Sequence, residues 1–289
     1  MGLSLLIWLS AFPLNSEWRM GQFNDIAGVF FLGFLWATIY GRKFLSSVFW
    51  ILSFFWKPII FFSFPFFIKI RDKLGTLLIL VFVFLGTVMY IGSFQIFDNK
   101  AIVYFLNTLF LYKDRAAFSL HYIDNFSVYS FLGELLYDHF NSIYFISTSI
   151  YLLLIILIYL IITFKIELKS TSNKIYYLLF SVGTLLIFSR EIWESTLSFW
   201  IPIVIVSFIF AKNKERILIG FCGLIFATPS LFYFWNSNKT ELWRFLLIGE
   251  KALPQIVMYI YFLYKILNLM LIDRKNFLLK KIPKTGKKV

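Results

Sequence analysis

The segment from Gly21 to Asp25 is the first of four short polar segments that could do chemistry in an otherwise apolar sequence. Its side chains include Gln22 and Asn24. Amides present paired hydrogen-bond donors and acceptors, which suit the hydroxyl groups of a sugar. They can also cap the start of a helix. The segment is therefore a candidate sugar-binding site, with a helix cap as the alternative.

Lys57 lies alone between Trp56 and Pro58 inside an apolar stretch. Proline ends helices, and an ionisable residue at membrane depth is costly, so a lysine in this position is a functional candidate. A cation beside a helix break could bind the phosphate of a donor as a point charge. The alternative is a lysine that only extends its stem toward lipid headgroups.

The segment Ser189–Ser195 concentrates charge between two apolar runs. A guanidinium could bind an anionic donor, an indole could stack on a sugar ring, and carboxylates could act as general acid or base. Short turns also carry charges simply to stay hydrated. The candidate residues are Arg190 for donor phosphate, Trp193 for the sugar, and Glu191 and Glu194 for catalysis.

The fourth segment, Asp124–Ser127, is predicted to cap the helix that follows it. Its neighbour His121 and the second histidine, His139, lack carboxylate-rich surroundings, and Cys222 is the only cysteine. These residues do not form the ligand spacing of a metal site. We therefore predict no metal and no cofactor.

The composition indicates which elements must position these residues. The chain is 60% hydrophobic and 22% aromatic, with a mean hydropathy of +0.79. Such values are typical of integral membrane proteins and not of soluble domains. A net charge of +13 could suggest nucleic acid, but the basic residues lie between apolar stretches, so we predict no nucleic-acid partner.

Ten apolar runs can be drawn along the sequence. Several are shorter than the roughly 20 residues that an upright membrane helix needs. The fold predicted is all-α and polytopic, with about 8–10 transmembrane or re-entrant helices. The runs are Leu3–Pro13, Phe23–Tyr40, Phe44–Trp56, Ile59–Ile68, Leu74–Phe94, Ile143–Phe164, Ile175–Phe188, Leu197–Phe210, Ile217–Phe234 and Gln255–Ile272.

Basic and non-basic connectors alternate along these runs, which predicts sidedness by the positive-inside rule. Most Lys and Arg residues fall in five connectors assigned to the cytoplasm. The outer side has eleven acidic residues and nine basic ones, and the basic ones are Arg19, Lys57, Lys100, Lys113, Arg115, Arg190, Lys239, Arg244 and Lys251. The protein predicted is a multi-pass protein of the inner (plasma) membrane with a cytoplasmic tail. The cytoplasmic groups are Arg42-Lys43, Lys69/Arg71/Lys73, Lys165/Lys169/Lys174, Lys212/Lys214/Arg216 and the stretch from Arg274 to Lys288.

The same sidedness predicts the domain organisation. Residues 1–272 form one transmembrane domain with an outer-face loop at 95–142, and residues 273–289 form a basic cytoplasmic tail. Phe44–Ile68 has basic groups at both ends, so it forms a hairpin whose Lys57 tip faces outward. Within the loop, Phe126–Leu136 is predicted as a helix in the membrane interface. Lys265, inside the last run, extends toward the cytoplasmic end.

The order of the four motifs resembles glycosyltransferase family 87, a GT-C-like group of transferases that use polyprenyl-phosphate sugars. The resemblance covers residues 20 to 235. It implies transfer of a sugar, typically mannose, from a lipid-phosphate donor to a glycan or lipid acceptor on the outer face. The motifs are Gly21-Gln22-Phe23-Asn24, Trp56-Lys57-Pro58, Asp124-Asn125-Phe126-Ser127 and Ser189-Arg190-Glu191-Ile192-Trp193-Glu194.

The sequence also departs from the family pattern. The resemblance implies a catalytic carboxylate in a first outer loop, and Glu17 is the only acid before the Gln-Asn element. We therefore expect the chain to lack the N-terminal part of the family. Arg190 and Ser195 stand where the family commonly has Pro and His.

Two other classes of function stay open at the level of sequence. One is a transporter or flippase of lipid-linked saccharides, although the halves of the chain do not match as inverted repeats would. The other is a non-catalytic membrane subunit. The charged candidates gather at the outer ends of the predicted spans, which favours chemistry at one face over passage through the bilayer.

Overall fold

A computed structural model describes residues 24–97, 126–136, 141–189, 194–230 and 241–281. All regular secondary structure in these ranges is helical, so the predicted all-α class is confirmed. A first 3₁₀ helix covers Pro58–Ser63 and a second covers Glu194–Phe199. The α-helices are α1 (Asn24–Ile39), α2 (Lys43–Trp56), α3 (Pro65–Lys69), α4 (Lys73–Phe97), α5 (Val128–Leu136), α6 (Asn141–Lys165), α7 (Thr171–Phe188), α8 (Trp200–Phe210), α9 (Asn213–Ala227) and α10 (Glu241–Lys281).

Helices α1 and α2 form an antiparallel pair. They are joined at Gly41, whose φ of +67° lies in the left-handed region that glycine adopts at little cost. Near this turn the hydroxyl groups of Thr38 and Ser46 are 3.0 Å apart. At the other end of the pair, Ser53 Oγ donates a 2.8 Å hydrogen bond to the Ala27 carbonyl oxygen. These two contacts fix the register of the pair.

The predicted break at Lys57-Pro58 is present. Helix α2 ends at Trp56, and Lys57 is extended, with φ −157° and ψ 125°, because a residue before proline avoids the helical region. The return limb is not one helix but a 3₁₀ helix followed by the short α3. Trp50 Nε1 donates to Ser63 Oγ at 2.7 Å and so ties the two limbs together.

Helix α7 lies at the centre of the bundle, and 13 of its 18 residues are buried. Tyr159 of α6 joins this core to the hairpin: its ring stacks on Phe62 at 5.0 Å and on Phe180 at 6.4 Å. On the other side of α7, Phe180 stacks on Tyr259 of α10 at 5.4 Å. Buried aromatic rings therefore connect the hairpin, α6, α7 and α10.

Two elements differ from their predicted bounds. Helix α10 begins at Glu241, well before the predicted Gln255, and continues through Pro254 to Lys281. Pro254 removes one backbone hydrogen bond from the interior of this helix. The helix also crosses the predicted domain boundary at residue 272. Helix α5 begins deep in the bundle, with Phe126 fully buried, and not at a free interface.

Among the side chains that the structure describes, one helix has the length and apolar character to cross a membrane, Phe245–Ile272 within α10. The other apolar helical stretches with described side chains cover 10–17 residues, for example Lys73–Gly86 within α4 and Ile150–Lys165 within α6. The predicted 8–10 transmembrane or re-entrant helices therefore stay a prediction.

The helices run back and forth, so their connectors lie at two ends of the bundle. The basic connectors between α1 and α2, α3 and α4, α6 and α7, and α8 and α9 lie at one end, which we call the basic end. Tyr176, just after the α6–α7 connector, and Glu215, just after the α8–α9 connector, both contact Tyr261 of α10. Tyr261 therefore links these two connectors. The opposite end, where α1 begins and α2 and α7 end, we call the motif end.

Candidate functional site

Lys57 lies at the motif end, at the tip of the hairpin. Its backbone N–H donates to the Ser53 carbonyl oxygen at 2.9 Å, which closes the last turn of α2 before the chain becomes extended. The side chain is half-buried. The 3₁₀ helix that follows packs against α7, and Phe62 lies 6.2 Å from Phe188 at the C-terminal end of that helix.

The charged Ser189–Ser195 segment begins at the same end of the bundle. Ser189 caps the C-terminus of α7, and its N–H and Oγ both donate to the Leu185 carbonyl oxygen. Glu194 is the first residue of the second 3₁₀ helix, which packs against α1. Helix α1 begins at Asn24, in the Gln-Asn element, and the second 3₁₀ helix begins at Glu194, in the Trp-Glu turn. The two helices that begin at these motifs are therefore in contact.

Several predicted site residues lie outside what the structure describes. Gln22, Arg190, Glu191 and Trp193 fall in undescribed stretches, and Asn24 and Glu194 are described in their backbone alone. The described parts bring together the helices that carry these residues: the start of α1, the end of α2, the end of α7 and the second 3₁₀ helix. The predicted roles of the side chains stay predictions.

Ser127, in the Asp124–Ser127 motif, has the helix-capping role predicted for this segment. Its Oγ accepts a hydrogen bond from the Ser130 N–H at 2.9 Å and so caps α5. The cap is fully buried, and the neighbouring Phe126 carbonyl oxygen accepts from Gln255 Nε2 at 2.8 Å. Asp124 and Asn125 lie outside the described residues.

A buried polar group on α10 was not recognised from the sequence. Lys251 is fully buried and donates to the carbonyl oxygens of Ile225 and Thr228, which are left free at the C-terminal end of α9. Gln255, one turn further on, is also fully buried, and Glu250 accepts from Ser230. The spacing of Lys251 and Gln255 was the available signal, because residues four apart share a helix face.

The charges of the described side chains divide between the two ends. Lys57, Glu250 and Lys251 lie toward the motif end, whereas the other described Lys, Arg, Asp and Glu side chains lie at the basic end. Arg190, the other predicted phosphate contact, lies outside the described residues. Lys57 is a cation held at a defined position of the motif end, as electrostatic stabilisation of a departing phosphate would require.

The sequence model of a protein family, described as Glycosyltransferase family 87, matches residues 2–189, well over half of the chain. The chain belongs to glycosyltransferase family 87. The predicted family is thereby confirmed, and the match covers the Gln-Asn, Lys-Pro and Asn-x-Ser motifs. Comparisons with curated proteins and with solved structures gave no match.

Membership of family 87 implies glycosyltransferase activity, with a sugar donor and an acceptor as substrates. It also agrees with one apolar helix of membrane length, because the family is typically membrane-associated. The matched region ends at Ser189, where α7 ends. The helices from α8 onward, including the buried polar group on α10, lie beyond it.

Proposed function

We propose that this family 87 protein is a multi-pass membrane glycosyltransferase that moves a sugar, most simply mannose, from a polyprenyl-phosphate carrier to a glycan or lipid acceptor on the outer face. The observation that carries the proposal is the packing of the motif-bearing helices at one end of the bundle, opposite the basic connectors. Sidedness of this kind matches the positive-inside rule.

The apolar surface supports a membrane location. Large apolar side chains stand exposed at helical spacing along α4, α6 and α9, for example Phe84 at 67%, Leu153 at 67% and Phe221 at 62%. Contiguous exposed apolar surface of this extent is typical of lipid or protein contact and not of a soluble monomer. With lipid around it, the bundle would expose these helices to acyl chains and both ends to water.

The reaction forms one bond and breaks one. The acceptor hydroxyl oxygen attacks the anomeric carbon of the sugar, and the bond from that carbon to the phosphate oxygen breaks with inversion. Lys57 and Arg190 stabilise the negative charge on the departing polyprenyl phosphate. Glu191 or Glu194 takes the proton from the acceptor hydroxyl. Gln22, Asn24 and Trp193 hold the sugar by hydrogen bonds and stacking.

The test of this proposal is a transfer assay on membranes that contain the protein, with a labelled polyprenyl-phosphate mannose as donor. Lys57→Ala should lower the rate of transfer at least about tenfold, because a charge-assisted contact to phosphate contributes about 1.5–3 kcal/mol. Lys57→Arg keeps the cation and should retain part of the rate.

Lys214→Ala is the matched control, because Lys214 is an exposed lysine at the basic end. It removes the same charge far from the hairpin and should leave transfer unchanged. Equal rates for wild type and Lys57→Ala, at equal protein levels, would remove Lys57 from the donor site. Absence of transfer from any labelled lipid-phosphate sugar by the wild type would overturn the proposed reaction.

A further inference from the structure

A cavity of about 280 Å³ opens at the basic end, where three connectors meet. It is lined by residues from the turn between α1 and α2, from the α3–α4 connector, and from the stretch around the start of α7. This end is the far end of α2 from Lys57, roughly 20 Å away at 1.5 Å per helical residue. The cavity is therefore separate from the candidate transfer site.

Four basic side chains line this cavity, and none of the described residues that line it is acidic. Lys69 and Lys174 are half-buried, while Lys43 and Arg71 are exposed. None of the four forms an ion pair with another described residue. The carboxylate of the nearby Asp72 does not line the cavity. Its Oδ1 accepts a hydrogen bond from the Gly75 N–H at 3.0 Å, at the start of α4.

The positive charge of Lys69 is partly buried and only partly offset by its surroundings. Burial lowers the pKa of Lys69, and the negative charge of Glu167 raises it by less, so the pKa stays below its usual value. Glu167 itself pairs with Lys169. A bound anion would relieve this cost, because an opposite charge close by favours the protonated amine.

The remaining lining distinguishes the kind of anion. Buried hydroxyls of Thr38 and Ser46 provide neutral polar groups, and Phe66, Ile70 and Leu168 provide an apolar wall. Around the same end, Phe44 is 61% exposed and Phe164 is 81% exposed. Cations beside a mixed polar and apolar surface suit an anion that carries a hydrocarbon part.

We propose that this cavity binds the phosphate group of an anionic phospholipid headgroup. Lys43, Lys69, Arg71 and Lys174 contact the phosphate oxygens, and the apolar wall contacts the glycerol and the first carbons of the acyl chains. Free phosphate shares the same chemistry, and the experiment separates the two sources.

The experiment uses the full chain in detergent, with native mass spectrometry to count bound lipid after addition of phosphatidylglycerol or phosphatidylcholine. The wild type should retain phosphatidylglycerol in preference to phosphatidylcholine. The double variant Lys69→Gln, Arg71→Gly should lose that retention at least about tenfold, since two charge-assisted contacts are removed. Arg71 has a φ of +54°, so glycine fits its backbone and the variant should fold.

The matched control is Lys212→Gln with Lys214→Gln, two exposed lysines at the same end that do not line the cavity. It loses the same charge and should keep its lipid. Equal loss in both double variants, or none in the cavity variant, would overturn the proposal. Displacement of phosphatidylglycerol by millimolar inorganic phosphate would support contact through the phosphate group. Failure of the wild type to retain phosphatidylglycerol, with inorganic phosphate bound instead, would overturn the lipid as the occupant.

Discussion

The ion pair between Lys265 and Glu215 joins two helices that are 50 residues apart in the sequence. Lys265 Nζ lies 2.8 Å from both carboxylate oxygens of Glu215. The same amine lies over the rings of Tyr176 and Tyr261, at 5.4 and 5.6 Å from their centroids. Lys265 thus reaches the basic connector between α8 and α9, the direction in which the sequence predicted its stem would extend.

The protonation of Glu215 should affect stability at low pH. Partial burial by itself raises the pKa of Glu215, but hydrogen bonds from Lys265 and from the Lys212 N–H, with the charge of Lys265, lower it overall. A carboxylate with a lowered pKa contributes stability above its ordinary pKa, and this contribution is lost as pH falls through the lowered value. Glu215→Gln should therefore be less stable than wild type at neutral pH.

Thermal unfolding in detergent across a pH series measures this effect. The difference in Tm between wild type and Glu215→Gln should shrink as pH falls below the ordinary glutamate range. Lys265→Met, which removes the charged partner but leaves the hydrogen bond from the Lys212 N–H, should reduce this pH dependence in the same range. A constant difference in Tm from neutral to acid pH would contradict the lowered pKa.

At the scale of the element, two glycines of α9 face α8, and the packing of the two helices depends on one of them. A Cβ added at Gly223 would lie 2.6 Å from Cγ1 of Val204, whereas one added at Gly220 would lie 3.7 Å from Cε2 of Phe208. Val204 is β-branched on a helix and has little freedom to rotate away. The two helices can therefore approach closely at Gly223 only without a side chain there.

These glycines provide a matched pair of substitutions. Gly220→Ala should be neutral or stabilise the protein by up to about 1 kcal/mol, because alanine favours the helix. Gly223→Ala gains the same propensity but overpacks the contact, at a cost of about 1–3 kcal/mol. Comparison of Tm for the two variants in one detergent measures the difference, and equal values would contradict the close packing of α8 on α9.

The whole molecule is predicted to place its two ends in different compartments. Cys222 is the only cysteine and is buried, so Cys222→Ala gives a background for single-cysteine labelling. Arg190→Cys should react with a membrane-impermeant maleimide added outside intact cells. Lys169→Cys and Lys212→Cys, at the basic end, should react only after the cells are opened.

The labelling experiment also tests the membrane proposal as a whole. Reaction of Arg190→Cys and Lys212→Cys from the same side would contradict the sidedness on which the outer-face transfer site depends. A denatured sample, in which all three cysteines should react equally, controls for the reactivity of each position. The lipid-binding and transfer assays do not share this readout, so the three results are independent.

The sequence by itself determined features that depend on short stretches of chain. Helicity follows from apolar runs with few turn residues, and the break at Lys57-Pro58 follows from the conformational limits of proline and of the residue before it. The family assignment likewise came from local motifs and their order, and the match over residues 2–189 confirmed it. Alternation of basic connectors predicted which helix ends share a side.

Only the tertiary structure decided contacts between residues far apart in the chain. It joined three connectors into one basic cavity, paired Lys265 with Glu215, and buried Lys251 against the free carbonyl groups of α9. It also carried α10 through Pro254, although proline is unfavourable in a helix interior. Such features arise because burial and hydrogen bonding to neighbouring helices outweigh the preferences of single residues, and no short pattern records those neighbours.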